Sequence, residues 1–346
     1  MTQHYKLQRR GFELGDISIS FTQAAPSEQQ IIDAWQADKA ITIPATTIHD
    51  ILQHRGHKGH IQAAHKMMEV MLNGAELAET FEESDVSERL QPEFALLASS
   101  AEEHDEQGIE KVYFDVENDG EICAEDLWCK ASWLSFHDED ASLRFRFSFG
   151  MEGFEDVAAD PARQAWAGEL CERIFPESSI ITKNTEILNL LQEILGKEAQ
   201  FVERIVYFNA PNGGAQFHHD VERGHAGVVF AQLSGATFWL ALDKQTLMDE
   251  IICFSQNNSV SDALKTLIQN REALSDYMEE QDHATVEELI DQSPEFISQL
   301  IEKGYSHHLQ AGDILFLPQR DLDHCVWHTV FTLGDEPGEA LSFAVR

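Results

Sequence analysis

From about Ala199 onward the chain repeats one pattern: short apolar or alternating runs, each bounded by turn residues and each too brief for an ordinary helix. They read QFVERIVYFNA, AQFHHD, AGVVFAQL, ATFWLAL, DILFLP, CVWHTVFTL and ALSFAVR. Such a series folds as a β-sandwich or small barrel. About sixty residues from Gln245 to Tyr305 interrupt it with helical spacing, so a helical insertion over 245–305 is expected.

Upstream, the periodicity predicts helices from about 28 to 80, the first capped by Ser27, and an acidic, weakly periodic stretch from Thr80 to Gln107. Strand character begins at Ile109. In SLRFRFSFG, Phe145, Phe147 and Phe149 share one face and Arg144 and Arg146 take the other. A helical passage follows from about Pro161 to Leu195. The chain therefore reads as α+β, with an N-terminal helical or irregular region over 1–108 and a β-domain over 109–346 that carries the insertion.

The 346 residues, 43% apolar, suffice for one large core or two modest ones. No run approaches the roughly 18 apolar residues of a membrane span, and MTQHYKLQRRG lacks an apolar stretch after its basic residues. A cytoplasmic protein with no membrane partner is expected. Five scattered cysteines without a CxxC pair fit free thiols. A formal charge of −37 works against nucleic acid and anionic lipid, and would attract a basic peptide or protein. Oligomeric state leaves no signal.

After the turn Asn212-Gly213-Gly214 comes Ala-Gln-Phe-His-His-Asp. A strand over 215–220 places Gln216, His218 and Asp220 on one face and His219 on the other. An imidazole and a carboxylate so spaced supply two ligands of the two-His-one-carboxylate triad that holds Fe(II) and leaves one face of the ion open. Two downstream histidines compete for the third place, His324 and His328, four residues apart and so on one strand face. If Leu333 and Leu341 bracket a hairpin centred on Pro337, His328 faces Arg346 across it, and His324 has no partner. This favours His328 as the ligand, leaves His324 as the alternative or as a substrate-side group, and makes Arg346 a clamp for a dicarboxylate.

FHHD, VVFAQLSGATFWLAL, AGDILFLP and WHTVFT, in that order, resemble the cupin-like, JmjC-type branch of the Fe(II)/2-oxoglutarate oxygenases over about residues 199–346. The resemblance implies a double-stranded β-helix (jelly-roll) core, Fe(II) held by His218, Asp220 and His328, 2-oxoglutarate as cosubstrate, and hydroxylation of a peptide or protein side chain or of an amino-acid-like small molecule. Where many members carry a cosubstrate-binding lysine two residues after a glycine, this chain has Thr237, so Arg346 must supply the charge. Tyr207 and Asn209 share a strand face that points them at the cosubstrate. His225, five residues past Asp220, is a substrate-contact candidate in a loop. Two other readings stay open: a cupin-type metal enzyme that does not use 2-oxoglutarate, and a metal-binding scaffold without activity.

His49, His54, His57, His60 and His65 do not converge at helical spacing and read as a solvated face. His307-His308 read as preceding a strand without a partner. Of Phe238 and Trp239, on opposite faces, the outward one packs under the insertion. No Ser/His/Asp order, P-loop or GxGxxG in strand-helix context is present.

Overall fold

The computed structural model describes residues 2–9, 12–20, 24–44, the strands between 95 and 156, and 164–346 with gaps of one or two residues. The histidine run from 49 to 65 and the helices expected over 45–80 lie outside the described residues.

The chain opens with a hairpin, β1 (Thr2–Arg9) and β2 (Phe12–Ser20), then α1 (Glu28–Gln36) and β3 (Ile41–Ile43). Ser27 caps α1 as expected: its hydroxyl accepts from Gln30 N–H, and the Gln30 side chain returns to the Ser27 backbone. The hairpin was not expected, although Leu14, Ile17 and Ile19 are buried along it. Next come β4 (Ala95–Glu103), β5 (Ile109–Asn118) and β6 (Glu121–Ser132) in one sheet, β7 (Ser142–Phe147), and the short pair β8 (Met151–Glu152) and β9 (Glu155–Asp156). β4 lies within the acidic stretch from Thr80 to Gln107, where loop or a solvated helix face is expected from the sequence. Helices α2 (Ser179–Thr182) and α3 (Thr185–Leu195) lead into the expected strand series.

That series is β10 (Phe201–Asn209), β11 (Gly214–His218), β12 (Gly227–Gln232), β13 (Ala236–Asp243), β14 (Ser306–Gln310), β15 (Ile314–Pro318), β16 (Val326–Leu333) and β17 (Gly338–Val345). It divides between two antiparallel sheets. The larger has the order β3-β15-β12-β17-β10-β7, the smaller β11-β16-β13-β14. From β10 to β17 the chain passes back and forth between the sheets, as in a jelly roll. The alternation expected of strands buried on both faces is met: Trp239, Ala241, Val326 and Val330 join Val228, Phe230 and Leu317 in the core between the sheets. Phe238, Leu240, Trp327 and Phe331 face the other way, under the hairpin and the insertion.

The insertion comprises α4 (Lys244–Asn257), α5 (Asp262–Leu267), α6 (Arg271–Met278), α7 (Ala284–Ile290) and α8 (Pro294–Glu302). Asp243, Ser261, Asn270 and Ser293 cap α4, α5, α6 and α8 through side-chain oxygens, which explains how so short a stretch breaks into separate helices. Their apolar faces, including Leu247, Ile251, Leu274 and Phe296, cover the outer face of the small sheet. Among the described residues no helix is long and apolar enough to cross a membrane.

Candidate metal centre

β11 starts on Gly214, whose φ of +147° suits glycine, and a Cβ there would meet Val330 O at 1.9 Å. The strand therefore lies tightly on β16. Register pairs Ala215 with Val330 and His218 with His328, so three steps on β11 match two on β16. This bulge lifts Phe217 N–H from the ladder, and it donates to Asp291 Oδ1 at 2.8 Å instead. Asp220 lies two residues past the strand's end, in a turn rather than on the strand expected over 215–220.

His218, Asp220 and His328 converge, one ligand atom of each lying within 4.8 Å of the others. The His218 Nε2 is 3.7 Å from Asp220 Oδ1, and His328 Nε2 is 3.5 Å from Asp220 Oδ2. Two ligands each about 2.1 Å from one ion and about 90–110° apart are about 3.0–3.4 Å from each other, so the set closes on an ion with small movements. Each imidazole turns Nδ1 to a backbone carbonyl two residues earlier, Gln216 O at 2.7 Å and Val326 O at 3.3 Å. The Nδ1 proton is thereby committed and the Nε2 lone pair left for a metal. Burial, then the neighbouring His218, push His328 down to about 4 against the opposing pull of Asp220, so the ring is neutral at neutral pH. Trp239 stacks on it, centroids 5.3 Å apart and planes at 27°.

His328 reaches this place by a route other than the hairpin expected. β16 and β17 belong to different sheets. His328 pairs with His218 on β11 and Ala241 on β13, not with Arg346. Arg346 follows β17 in the large sheet, its backbone paired with Gln200, and is not among the residues lining the cavity described below. His324 sits in an exposed turn, Nδ1 2.9 Å from Asp321 Oδ1, away from the triad. Thr237 is fully buried: its hydroxyl donates to Gln232 Oε1 and accepts from Trp239 Nε1, both at 2.9 Å. His307 and His308 lie within β14 rather than before a strand, His307 against Thr42 Oγ1 at 3.0 Å and His308 stacked on Phe238.

The triad faces a cavity of about 490 Å³ between the sheets. Tyr207, Asn209 and His225 line it, with Ser342, Phe230 and Trp239. Its acidic lining is Glu203, Asp220, Glu222, Glu287 and Asp291, and no Lys or Arg is among the described lining residues.

Two acids from the insertion grip the ligand-bearing loop. Glu279 Oε2 lies 2.8 Å from His219 Nε2, and its Oε1 2.6 Å from the buried Lys244 Nζ. His219 Nδ1 accepts from Val221 N–H at 3.2 Å, so this imidazole fixes the backbone on either side of Asp220. Partial burial raises the Glu279 carboxyl, but hydrogen bonds from His219 and Lys244 outweigh it and hold it below the usual range. On the other side, Asp291 Oδ1 takes both Phe217 N–H and Arg9 Nη2, the latter at 2.7 Å, with both side chains 2% exposed. Arg9 Nη1 reaches Ala215 O at 2.5 Å and Thr329 Oγ1, and the guanidinium lies 4.7 Å over the Phe331 ring. Burial raises the Asp291 carboxyl against the opposing pull of Arg9. None of these four supports was legible in the sequence, since each partner is remote along the chain.

No family model and no curated protein matches the chain. Among solved structures it is similar to the ribosomal oxygenase YcfD from Escherichia coli, at 12% identity and TM-score 0.27, covering 76% of this chain and 43% of that one. It is also similar to a 2OG-Fe(II) oxygenase family oxidoreductase from Burkholderia pseudomallei, at 7% identity and TM-score 0.38, covering 94% and 92%. A third is a bsmA homologue from Methylobium petroleophilum PM1, at 10% and TM-score 0.34, covering 95% and 96%. The chain thus spans less than half the length of the YcfD chain it matches. All three TM-scores lie under 0.5, and the reading of the site rests on the chain's own residues.

Proposed function

We propose that this chain is an Fe(II)-dependent oxygenase of the 2-oxoglutarate type on a double-stranded β-helix core, with His218, Asp220 and His328 as metal ligands. The observation that carries this reading is the convergence of two Nε2 lone pairs and one carboxylate at the wall of a cavity between the sheets, with both Nδ1 atoms committed to backbone carbonyls. Such a set suits Fe(II) and leaves one side of the ion open for O2 and a bidentate keto acid. Iron with these co-reactants supplies the oxidising power for C–H hydroxylation. The chain's residues do the rest. Trp239 stacks on the His328 ring, Glu279 holds the loop that carries Asp220 through His219, and Asp291 holds β11 through Phe217 N–H. The substrate is a peptide or protein side chain or an amino-acid-like small molecule, and the cavity's acidic lining favours one that carries positive charge.

A second reading, a metal enzyme that does not use 2-oxoglutarate, draws on the absence of Lys and Arg among the described lining residues. Tyr207, Asn209 and Ser342 offer donors but no charge, so the cosubstrate half does not fit the described wall as the metal half does. Anaerobic addition of Fe(II) and 2-oxoglutarate separates the two. A visible metal-to-ligand charge-transfer band supports the first reading; iron binding with no band at any 2-oxoglutarate concentration supports the second.

A further inference from the structure

Part of the cavity wall belongs to neither sheet. His283, Glu287 and Asp291, spaced one helical turn apart along α7 and its two capping positions, all line the cavity, as one stripe of a helix does. They stand beside β11: Gln216 Nε2 donates to Glu287 Oε1, and Phe217 N–H to Asp291 Oδ1. Because the Gln216 carbonyl also holds His218 Nδ1, Glu287 is one residue removed from a metal ligand. The charges along this stripe do not balance. Asp220 belongs to the triad, Glu203 and Glu222 hold other interactions within the chain, and Asp291 has Arg9. Glu287 has the neutral Gln216 amide and forms no ion pair among the described residues. Burial and then the Glu287 charge raise the Asp291 carboxyl against the pull of Arg9, and the buried Asp291 Oδ2 has no hydrogen-bond partner among the described residues. Two carboxylates thus share one guanidinium, and a second cation at Glu287 would complete the set.

We propose that Glu287, backed by Asp291 and oriented by Gln216, binds the protonated nitrogen of a cationic substrate, so that the insertion selects the substrate while the β-sandwich holds the metal. The proposal rests on the oxygenase reading above and names the residue that reads the substrate's charge. A positive group is repelled by the metal ion, so the carboxylate that receives it must stand outside the ligand set. Glu287 meets that condition. The attraction exerted by a chain of charge −37 is screened over about 8 Å at physiological salt. A preference set by one lining carboxylate in direct contact with the cation persists there.

The test is calorimetric titration of the Mn(II)-loaded full-length chain, in about 0.15 M salt, with acetyl-Ala-Lys-Ala-amide and acetyl-Ala-Arg-Ala-amide and with their neutral norleucine and citrulline counterparts. At least one charged peptide should bind on the order of 10-fold tighter than its neutral counterpart. Glu287→Gln, which can still accept from Gln216, should reduce that ratio to about 2-fold or less and leave Mn(II) affinity unchanged, and Glu287→Asp should keep part of it. Glu288→Gln removes the same charge from an exposed position of α7 and should leave the ratio as it is. A ratio that persists in Glu287→Gln, or falls equally in Glu288→Gln, overturns the assignment. Equal or absent binding of charged and neutral peptides by the unaltered Mn(II)-loaded protein overturns it too, and the metal reading then stands. Failure to bind Mn(II) overturns that reading, and this proposal with it.

Discussion

Neutralising Asp291 tests whether the insertion and the N-terminal hairpin are structural parts of the metal centre. Asp291→Asn is nearly isosteric and can still accept from Phe217 N–H, so the change isolates the charge facing Arg9. That guanidinium is 2% exposed, and removing one partner of a buried pair costs about 3–5 kcal/mol because the other is left uncompensated. Arg9 keeps Ala215 O, Thr329 Oγ1 and its place over Phe331, which sets the expectation at the lower end, about 3 kcal/mol. Arg9→Met alone leaves Asp291 uncompensated and should cost a similar amount. The two changes together remove both charges, so the double variant should lose at least about 2 kcal/mol less than the sum of the single losses. Urea denaturation of the metal-free protein reads all three values. Losses that add within about 0.5 kcal/mol would refute the idea that this pair works as one clamp on β11.

Two further outcomes follow from the same geometry. Glu279 has a folded-state pKa below its unfolded one; its stabilising contribution is therefore full above about pH 4.3 and is lost as pH falls through the folded value. Urea midpoints at pH 7 and near pH 3.5 should differ less in Glu279→Gln than in the unaltered protein, and equal differences would contradict the assignment. Gly214→Ala forces a Cβ onto Val330 O at a positive φ and should cost about 2 kcal/mol or more. It should also weaken metal binding by displacing β11; unaltered metal affinity would show that β11 need not lie so close to β16.

The strand series and the insertion were legible because both rest on local periodicity, and the capping residues that divide the insertion are visible as Asp243, Ser261, Asn270 and Ser293. His218 and Asp220 were legible as a pair, although the strand stops at His218 and a bulge, not simple alternation, sets the face. The partner of His328 was not legible: a short connection can close a hairpin or cross between two sheets, and nothing near Pro337 distinguishes these. Arg346 was misplaced for that reason. Ser342 was within reach, since it shares a strand face with Ala344 along β17. Arg9, Lys244, Glu279 and Asp291 were out of reach, because a buried ion pair joins residues whose separation along the chain carries no signal.

The central claim is that His218, Asp220 and His328 hold one metal ion. Anaerobic titration with Fe(II) measures it directly on the unaltered chain and on His328→Ala and His324→Ala. One ion per chain should bind to the unaltered protein and to His324→Ala, with binding lost in His328→Ala. Stoichiometric binding that survives His328→Ala, or that fails in His324→Ala, would contradict the account.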